Sequence, residues 1–103
     1  MDLYTKNALE LSKLTTRNYS TSFSMGVGIL GREFRMPIYA IYGFVRVADE
    51  IVDTFHNHDK EKMLARFREE TFEAIDKGIS TNPILQSFQW AVNAYHIGHD
   101  LIG

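Results

Sequence analysis

The sequence contains no cysteine among its 103 residues, which excludes both a disulfide framework and a thiolate metal site. It also lacks a basic excess, since 11 Lys and Arg residues stand against 13 Asp and Glu residues, a formal net charge of −2. Proteins that bind nucleic acid usually carry basic residues that neutralise phosphates, so we expect no nucleic-acid partner. Long hydrophobic runs are missing as well. The most apolar stretch, residues 36–45, is about half of the ~20 residues that a membrane span needs.

The amino terminus, residues 1–6, has an early acid and no apolar stretch of signal-peptide character. We therefore expect a cytoplasmic protein, with which the absence of cysteine is compatible. Apolar residues make up 45% of the chain, which is enough to form the core of one small domain. A peripheral membrane association stays open, because lipid or further protein would be needed to cover a large apolar face.

Apolar residues recur every three or four positions almost throughout, whereas alternation with period two is never sustained. This pattern predicts an all-α protein, an antiparallel bundle of helices joined by short turns. Pro37 is expected in the first turn of its helix, where its missing N–H is harmless, while Asp59 and Gly78 are expected to cap another helix. The predicted helices span about 5–18, a bent connector or short helix within 15–24, Pro37 to about Phe55, 60–77, and Pro83 to a stop at Gly98.

The third predicted helix carries an unusual polar face. At about 100° per residue, Tyr42, Arg46, Asp49 and Asp53 fall within an arc of roughly 60°, and we call these four residues the α3 stripe. The rest of the helix is almost entirely apolar, so we expect it to be buried. Two carboxylates four residues apart repel each other, and their oxygens suit Mg²⁺ shared with a phosphate. The alternative is an acidic patch paired with Arg46 or with lysines of a neighbouring helix.

The run from Tyr39 to Asp53 resembles the first aspartate-rich motif of the squalene and phytoene synthase family. That motif needs an aromatic-rich helix, an arginine three residues before the first aspartate, and a second aspartate four residues after the first. A further match lies upstream, where Ser20-Thr21-Ser22-Phe23 is similar to the hydroxyl-rich Ser-x-Ser-Phe segment of the family. The resemblance is strongest over residues 19–53, and beyond them it rests on a continuing helical pattern.

The resemblance implies the N-terminal part of the all-α isoprenoid synthase fold. It also implies head-to-head condensation of two allylic isoprenoid diphosphates, such as farnesyl or geranylgeranyl diphosphate. Asp49 and Asp53 would hold Mg²⁺, or Mn²⁺ in its place, against a diphosphate; Arg46 would contact phosphate oxygens, and Tyr42 would line the pocket. The remaining implied substrate contacts are Tyr19, Ser20, Thr21 and Ser22 at the diphosphate and Phe23 at the isoprenoid chain. A phytoene-type enzyme of carotenoid biosynthesis needs no reductant, whereas a squalene-type enzyme uses NADPH.

Two departures from the family pattern qualify these expectations. Glu50 stands where many members have a third aspartate, outside the α3 stripe. The family's second aspartate-rich motif, which lies on a later helix, has no counterpart in this chain. Residues 1–103 are therefore expected to form a single partial domain that is inactive alone and that self-associates through its uncovered faces. The alternative is a non-catalytic helical interaction module that retains the first helices of the family.

Three weaker patterns have ordinary explanations. Residues 26–31 satisfy the G-x-G-x-x-G spacing, but the preceding segment is polar, whereas a dinucleotide-binding fingerprint follows an apolar strand. His56 and His58 are expected to lie solvated in a turn between helices, and the same reasoning applies to His96 and His99 near the carboxyl end.

Overall fold

The computed structural model describes residues 1–98, which form five helices and no strand. The all-α class that the sequence predicts is thereby confirmed for the described chain. Helices α1, α3 and α5 pack against one another, α4 packs on α3 and α5, and α2 contacts α1 and α3. None of these helices combines the length and the hydropathy that a membrane span requires. The bounds are α1 Leu3–Tyr19, α2 Thr21–Gly28, α3 Arg32–Asp53, α4 Lys60–Lys77 and α5 Pro83–Tyr95.

Short-range capping chemistry sets several helix ends. The Asp2 carboxylate accepts a hydrogen bond from the backbone N–H of Thr5 at 2.9 Å and begins α1. Asp59 caps α4 in the same way, and Gly78 ends it with a left-handed φ of 72°, a conformation that glycine adopts at little cost. The predicted bounds of α4 are therefore correct.

Helix α3 begins at Arg32, five residues before the predicted start at Pro37, so the proline lies in the interior of the helix. A proline has no N–H to donate to the carbonyl four residues earlier, which here belongs to Glu33. The Tyr95 hydroxyl donates a hydrogen bond to that carbonyl oxygen at 3.1 Å. The contact between α5 and α3 thus replaces the backbone hydrogen bond that Pro37 removes.

Helix α5 ends at Tyr95, earlier than the predicted stop at Gly98. His96 adopts a left-handed conformation with φ of 53°, and its backbone N–H donates to the carbonyl of Val92. Tyr95 itself is 51% exposed, and its hydroxyl reaches α3.

The central helices approach most closely at Gly43. A Cβ added there would lie 3.2 Å from the Ser12 Oγ of α1 and 3.5 Å from the Ile84 Cδ1 of α5. The Ser12 hydroxyl in turn contacts the hydroxyl of Ser87 at 2.5 Å in the buried core. At the next residue of α3, the Phe44 ring stacks on a ring of α5, with centroids 3.8 Å apart. This close packing fixes the position of α1 along α3.

Helix α3 is not buried all round, contrary to the expectation from its composition. Its buried residues are Tyr39, Ala40, Gly43 and Ile51. Four apolar side chains, which we call the α3 flank, fall within about 40° of one another and are between 36% and 59% exposed. The α3 flank consists of Phe34, Ile41, Val45 and Val52.

Candidate functional site

Two ring contacts join the α3 stripe to the hydroxyl-rich segment. The guanidinium carbon of Arg46 lies 5.0 Å from the centroid of the Tyr19 ring, within the range of a cation–π interaction. The Phe23 ring stacks on Tyr42 with centroids 5.0 Å apart and an angle of 23° between the planes. Tyr19 and Phe23 bracket residues 20–22, so this segment lies beside the stripe.

Ser20 forms the junction between α1 and α2. Its side-chain oxygen accepts a hydrogen bond from the backbone N–H of Phe23 at 3.2 Å and caps α2, while its hydroxyl proton is still available to a ligand. Thr21 and Ser22 follow in the first turn of α2, and both are exposed. The positive end of the α2 dipole therefore lies among three hydroxyl groups, a setting that favours an anion.

Arg46 pairs with Glu50 and with neither aspartate of the stripe. One terminal guanidinium nitrogen donates to the Glu50 carboxylate at 3.0 Å, and the two side chains are 24% and 19% exposed. Glu50 on one side and the Tyr19 ring on another thus restrict the guanidinium. The alternative in which Arg46 neutralises Asp49 or Asp53 is wrong. Sequence reasoning set Glu50 aside, although its four-residue spacing from Arg46 was a usable signal.

Asp49 and Asp53 are both exposed, and within residues 1–98 neither has an ion-pair or hydrogen-bond partner. They lie one helical turn apart, separated by roughly 6 Å along the axis of α3. No ion pair or hydrogen bond within residues 1–98 therefore offsets their mutual repulsion. Both carboxylates are accessible to a cation from solvent.

The carboxylates fit a shared magnesium site better than a closed one. Over residues 1–98 no group of three or more His, Cys, Asp or Glu side chains is arranged to hold a metal ion. Mg²⁺ commonly takes only one or two carboxylates and completes its coordination with water and with substrate phosphates. Asp49 and Asp53 could hold a metal ion in that way, with Arg46 on the same face of α3.

Two arginine Nε groups are buried without a hydrogen-bond partner among the described residues, one on Arg46 and one on Arg35. Arg35 falls within about 20° of Arg46 around α3, so both belong to the same face of the helix. A buried donor without an acceptor costs about 1–3 kcal/mol. The unmet donors therefore mark this face as the one where a further acceptor would be stabilising.

The family model of squalene/phytoene synthase matches residues 16–102, a range that includes both the hydroxyl-rich segment and the α3 stripe. The chain belongs to the squalene/phytoene synthase family. Searches of curated proteins and of solved structures gave no match. Membership in the squalene/phytoene synthase family associates the chain with prenyl-transferring enzymes.

The weaker patterns of this squalene/phytoene synthase family member have structural roles or none. Gly26 and Gly28 lie within α2, and Gly31 precedes α3, so a helix stands where a dinucleotide fingerprint needs a strand. His56 contacts the Lys60 amine at 3.2 Å in the turn before α4. His96 ends α5, and His99 lies outside the described residues.

Proposed function

We propose that this chain supplies the diphosphate-binding wall of a prenyltransferase that condenses two allylic isoprenoid diphosphates head-to-head, in carotenoid or other terpenoid biosynthesis. The observation that carries the proposal is the pairing of Arg46 with Glu50 beside two unpaired carboxylates. A cationic donor and two unpaired carboxylates on one face of α3 support binding of a metal-bound diphosphate there. Family membership supports the same chemistry.

The polar groups on and beside the α3 stripe bind different parts of the metal-bound leaving group. Asp49 and Asp53 would hold Mg²⁺, which supplies positive charge that stabilises the departing pyrophosphate. The hydroxyls of Ser20, Thr21 and Ser22 donate to phosphate oxygens at the positive end of α2. Arg46 donates beside these hydroxyls, and donors fixed in advance stabilise developing charge without reorganisation.

A bound anion gives Arg46 a hydrogen-bond acceptor that its present contacts do not provide. Its guanidinium has five N–H donors, and its buried Nε–H has no acceptor within residues 1–98. A rotation that turns this group to a phosphate replaces an unmet donor with a charge-assisted hydrogen bond. Glu50 and Tyr19 keep the guanidinium within reach of the stripe during that change.

The apolar surface next to the acids suits the hydrocarbon part of the substrate. The α3 flank lies about 90° from the stripe around the helix, and its side chains are exposed beside Asp49 and Asp53. The stacked rings of Phe23 and Tyr42 form a second apolar border. Such walls exclude water from an allylic cation and thereby prevent its hydrolysis.

Binding of Mg²⁺-pyrophosphate to the 103-residue chain, measured by isothermal titration calorimetry, tests the site without requiring turnover. Asp49→Asn and Asp53→Asn should each weaken binding by about tenfold or more, which corresponds to the loss of about 1.4 kcal/mol. Asp76→Asn removes an exposed carboxylate from α4 and serves as the matched control, with unchanged affinity expected. Equal affinity in all four proteins would contradict the assignment.

The reaction itself is tested in an enzyme that carries this segment together with the family's second aspartate-rich motif. There, Asp49→Asn or Asp53→Asn should abolish Mg²⁺-dependent release of pyrophosphate from farnesyl or geranylgeranyl diphosphate. A product that forms only with NADPH indicates squalene-type chemistry, and one that forms without reductant indicates phytoene-type chemistry. A wild-type chain that binds no Mg²⁺-pyrophosphate favours the alternative of a non-catalytic interaction module.

A further inference from the structure

Helix α4 presents a second exposed face, which points away from the α3 stripe. Glu61, Leu64, Ala65 and Arg68 follow the i, i+3, i+4, i+7 spacing of one helical face, and we call them the α4 face. They border a groove of about 520 Å³ that also includes Phe44 of α3. Phe44 is about 160° from Arg46 around α3, so the groove opens away from the stripe.

The charges of the α4 face have no oppositely charged partner within their own helix. Glu61 and Arg68 are seven residues apart, roughly 10 Å along the axis, which is too far for an ion pair. Positions three and four residues from each of them carry no opposite charge on α4. Elsewhere on the helix, in contrast, Arg66 pairs with Glu70 at 3.1 Å and Lys77 pairs with Glu73 at 2.7 Å.

The α4 face is complementary to a second copy of itself. A twofold axis between Leu64 and Ala65 brings two antiparallel α4 helices together so that each Glu61 meets the Arg68 of the other copy. Symmetry then forms the ion pair twice, as an isologous interface requires. Acid at one end and base at the other is the pattern that favours an antiparallel arrangement and opposes a parallel one.

The packing at the centre of this face also fits a close helix pair. Ala65 is small and allows the two backbones to approach, while Leu64, which is 39% exposed, can enter the groove of the other copy. The guanidinium of Arg68 lies over the Phe72 ring, with 5.5 Å from its carbon to the ring centroid, which holds the charge at the groove edge. We propose that the α4 face mediates an antiparallel homodimer of this chain through paired Glu61 and Arg68.

Charge reversal tests the pairing directly. Sedimentation equilibrium from about 10 µM to about 1 mM should show a monomer–dimer equilibrium for the wild-type chain. Glu61→Arg or Arg68→Glu alone replaces two attractive pairs with two repulsive ones. Four effects of about 2.5-fold each should raise the dissociation constant by roughly 40-fold. Circular dichroism establishes that each variant retains its helices.

Mixing and combining the variants provides the decisive measurement. Equimolar Glu61→Arg and Arg68→Glu chains should form a heterodimer, because both interfacial pairs then carry opposite charges. The double variant, Glu61→Arg with Arg68→Glu, should recover the wild-type dissociation constant. Recovery in both experiments supports the interface, since a docking site for another segment or another protein would gain nothing from the exchange.

Matched controls separate this interface from general charge effects. Lys62→Glu and Glu69→Arg make the same charge changes at the same seven-residue separation, about 100° around α4, and should leave the dissociation constant unchanged. Val45→Glu alters the α3 flank and distinguishes association through that surface. A wild-type chain that is monomeric at about 1 mM, or a dimer that Val45→Glu disrupts and the α4 reversals do not, overturns the proposal.

Discussion

Replacing Gly43 with alanine tests the close approach that positions α1 against α3. A glycine in the interior of a helix is normally less stable than alanine by about 1 kcal/mol, so on propensity alone Gly43→Ala would stabilise the protein. Steric crowding between α3 and α1 opposes that gain in stability. The new methyl group would lie 3.2 Å from the Ser12 Oγ and 3.3 Å from its Cβ, closer than ordinary van der Waals contact.

The two effects set the expected magnitude. Inserting a methyl group into a well-packed core costs about 1–3 kcal/mol, because side chains or backbone must shift. After the gain in helix propensity, Gly43→Ala should destabilise the protein by about 0–2 kcal/mol. Gly26→Ala is the matched control, since it places the same methyl group in α2 with no atom within 4 Å. It should stabilise the protein by about 0.5–1 kcal/mol.

The assay is urea unfolding followed by circular dichroism, with both variants measured against the wild type. The difference between the two changes in unfolding free energy isolates the crowding at Gly43, and it should be about 1–3 kcal/mol. If Gly43→Ala stabilised the protein as much as Gly26→Ala, α1 would not approach α3 as closely as the distances require. A change in the slope of the unfolding curve would point to an altered denatured state instead.

Two further predictions concern helix ends and the proline in α3. Tyr95→Phe should lower the unfolding free energy by about 0.5–1 kcal/mol, because the Glu33 carbonyl loses its only replacement donor within residues 1–98. In urea unfolding that effect should shrink in a Pro37→Ala background, where the alanine N–H can bond to the same carbonyl. At the start of α1, hydrogen bonding from Thr5 lowers the pKa of the Asp2 carboxyl, so its cap contributes stability above the ordinary pKa of about 3.9. This contribution is lost as the pH falls through the lowered value, and the Tm difference between wild type and Asp2→Ala should therefore narrow between about pH 5 and pH 2.

The sequence predicts best those features that depend on nearby residues. Both ends of α4 follow from single side chains, since Asp59 accepts from a backbone N–H three residues away and Gly78 adopts a left-handed conformation. The shared face of the α3 stripe follows from helical periodicity alone. Such features need no knowledge of what packs against the helix.

Features that depend on residues distant in the chain cannot be predicted from the local sequence pattern. Pro37 was expected to begin α3, because no local signal shows that a hydroxyl 62 residues from Glu33 would satisfy the freed carbonyl. The ion-pair partner of Arg46 could not be predicted either, because acidic residues lie three, four and seven positions further along the helix. Contact with the Tyr19 ring brings the guanidinium to its observed position, and that contact depends on how α1 packs.

The pairing of Arg46 with Glu50 changes the interpretation of the acidic stripe. If Arg46 neutralised Asp49 or Asp53, the stripe would hold a closed ion pair and have little affinity for a cation. Because Glu50 accepts from Arg46 instead, both aspartates keep their charge unpaired within the described chain while the arginine stays beside them. A site for a metal-bound diphosphate needs both charges separately, carboxylates for the cation and a guanidinium for the anion. Glu50, which stands where many family members have an aspartate, therefore keeps the Arg46 guanidinium from pairing with Asp49 or Asp53.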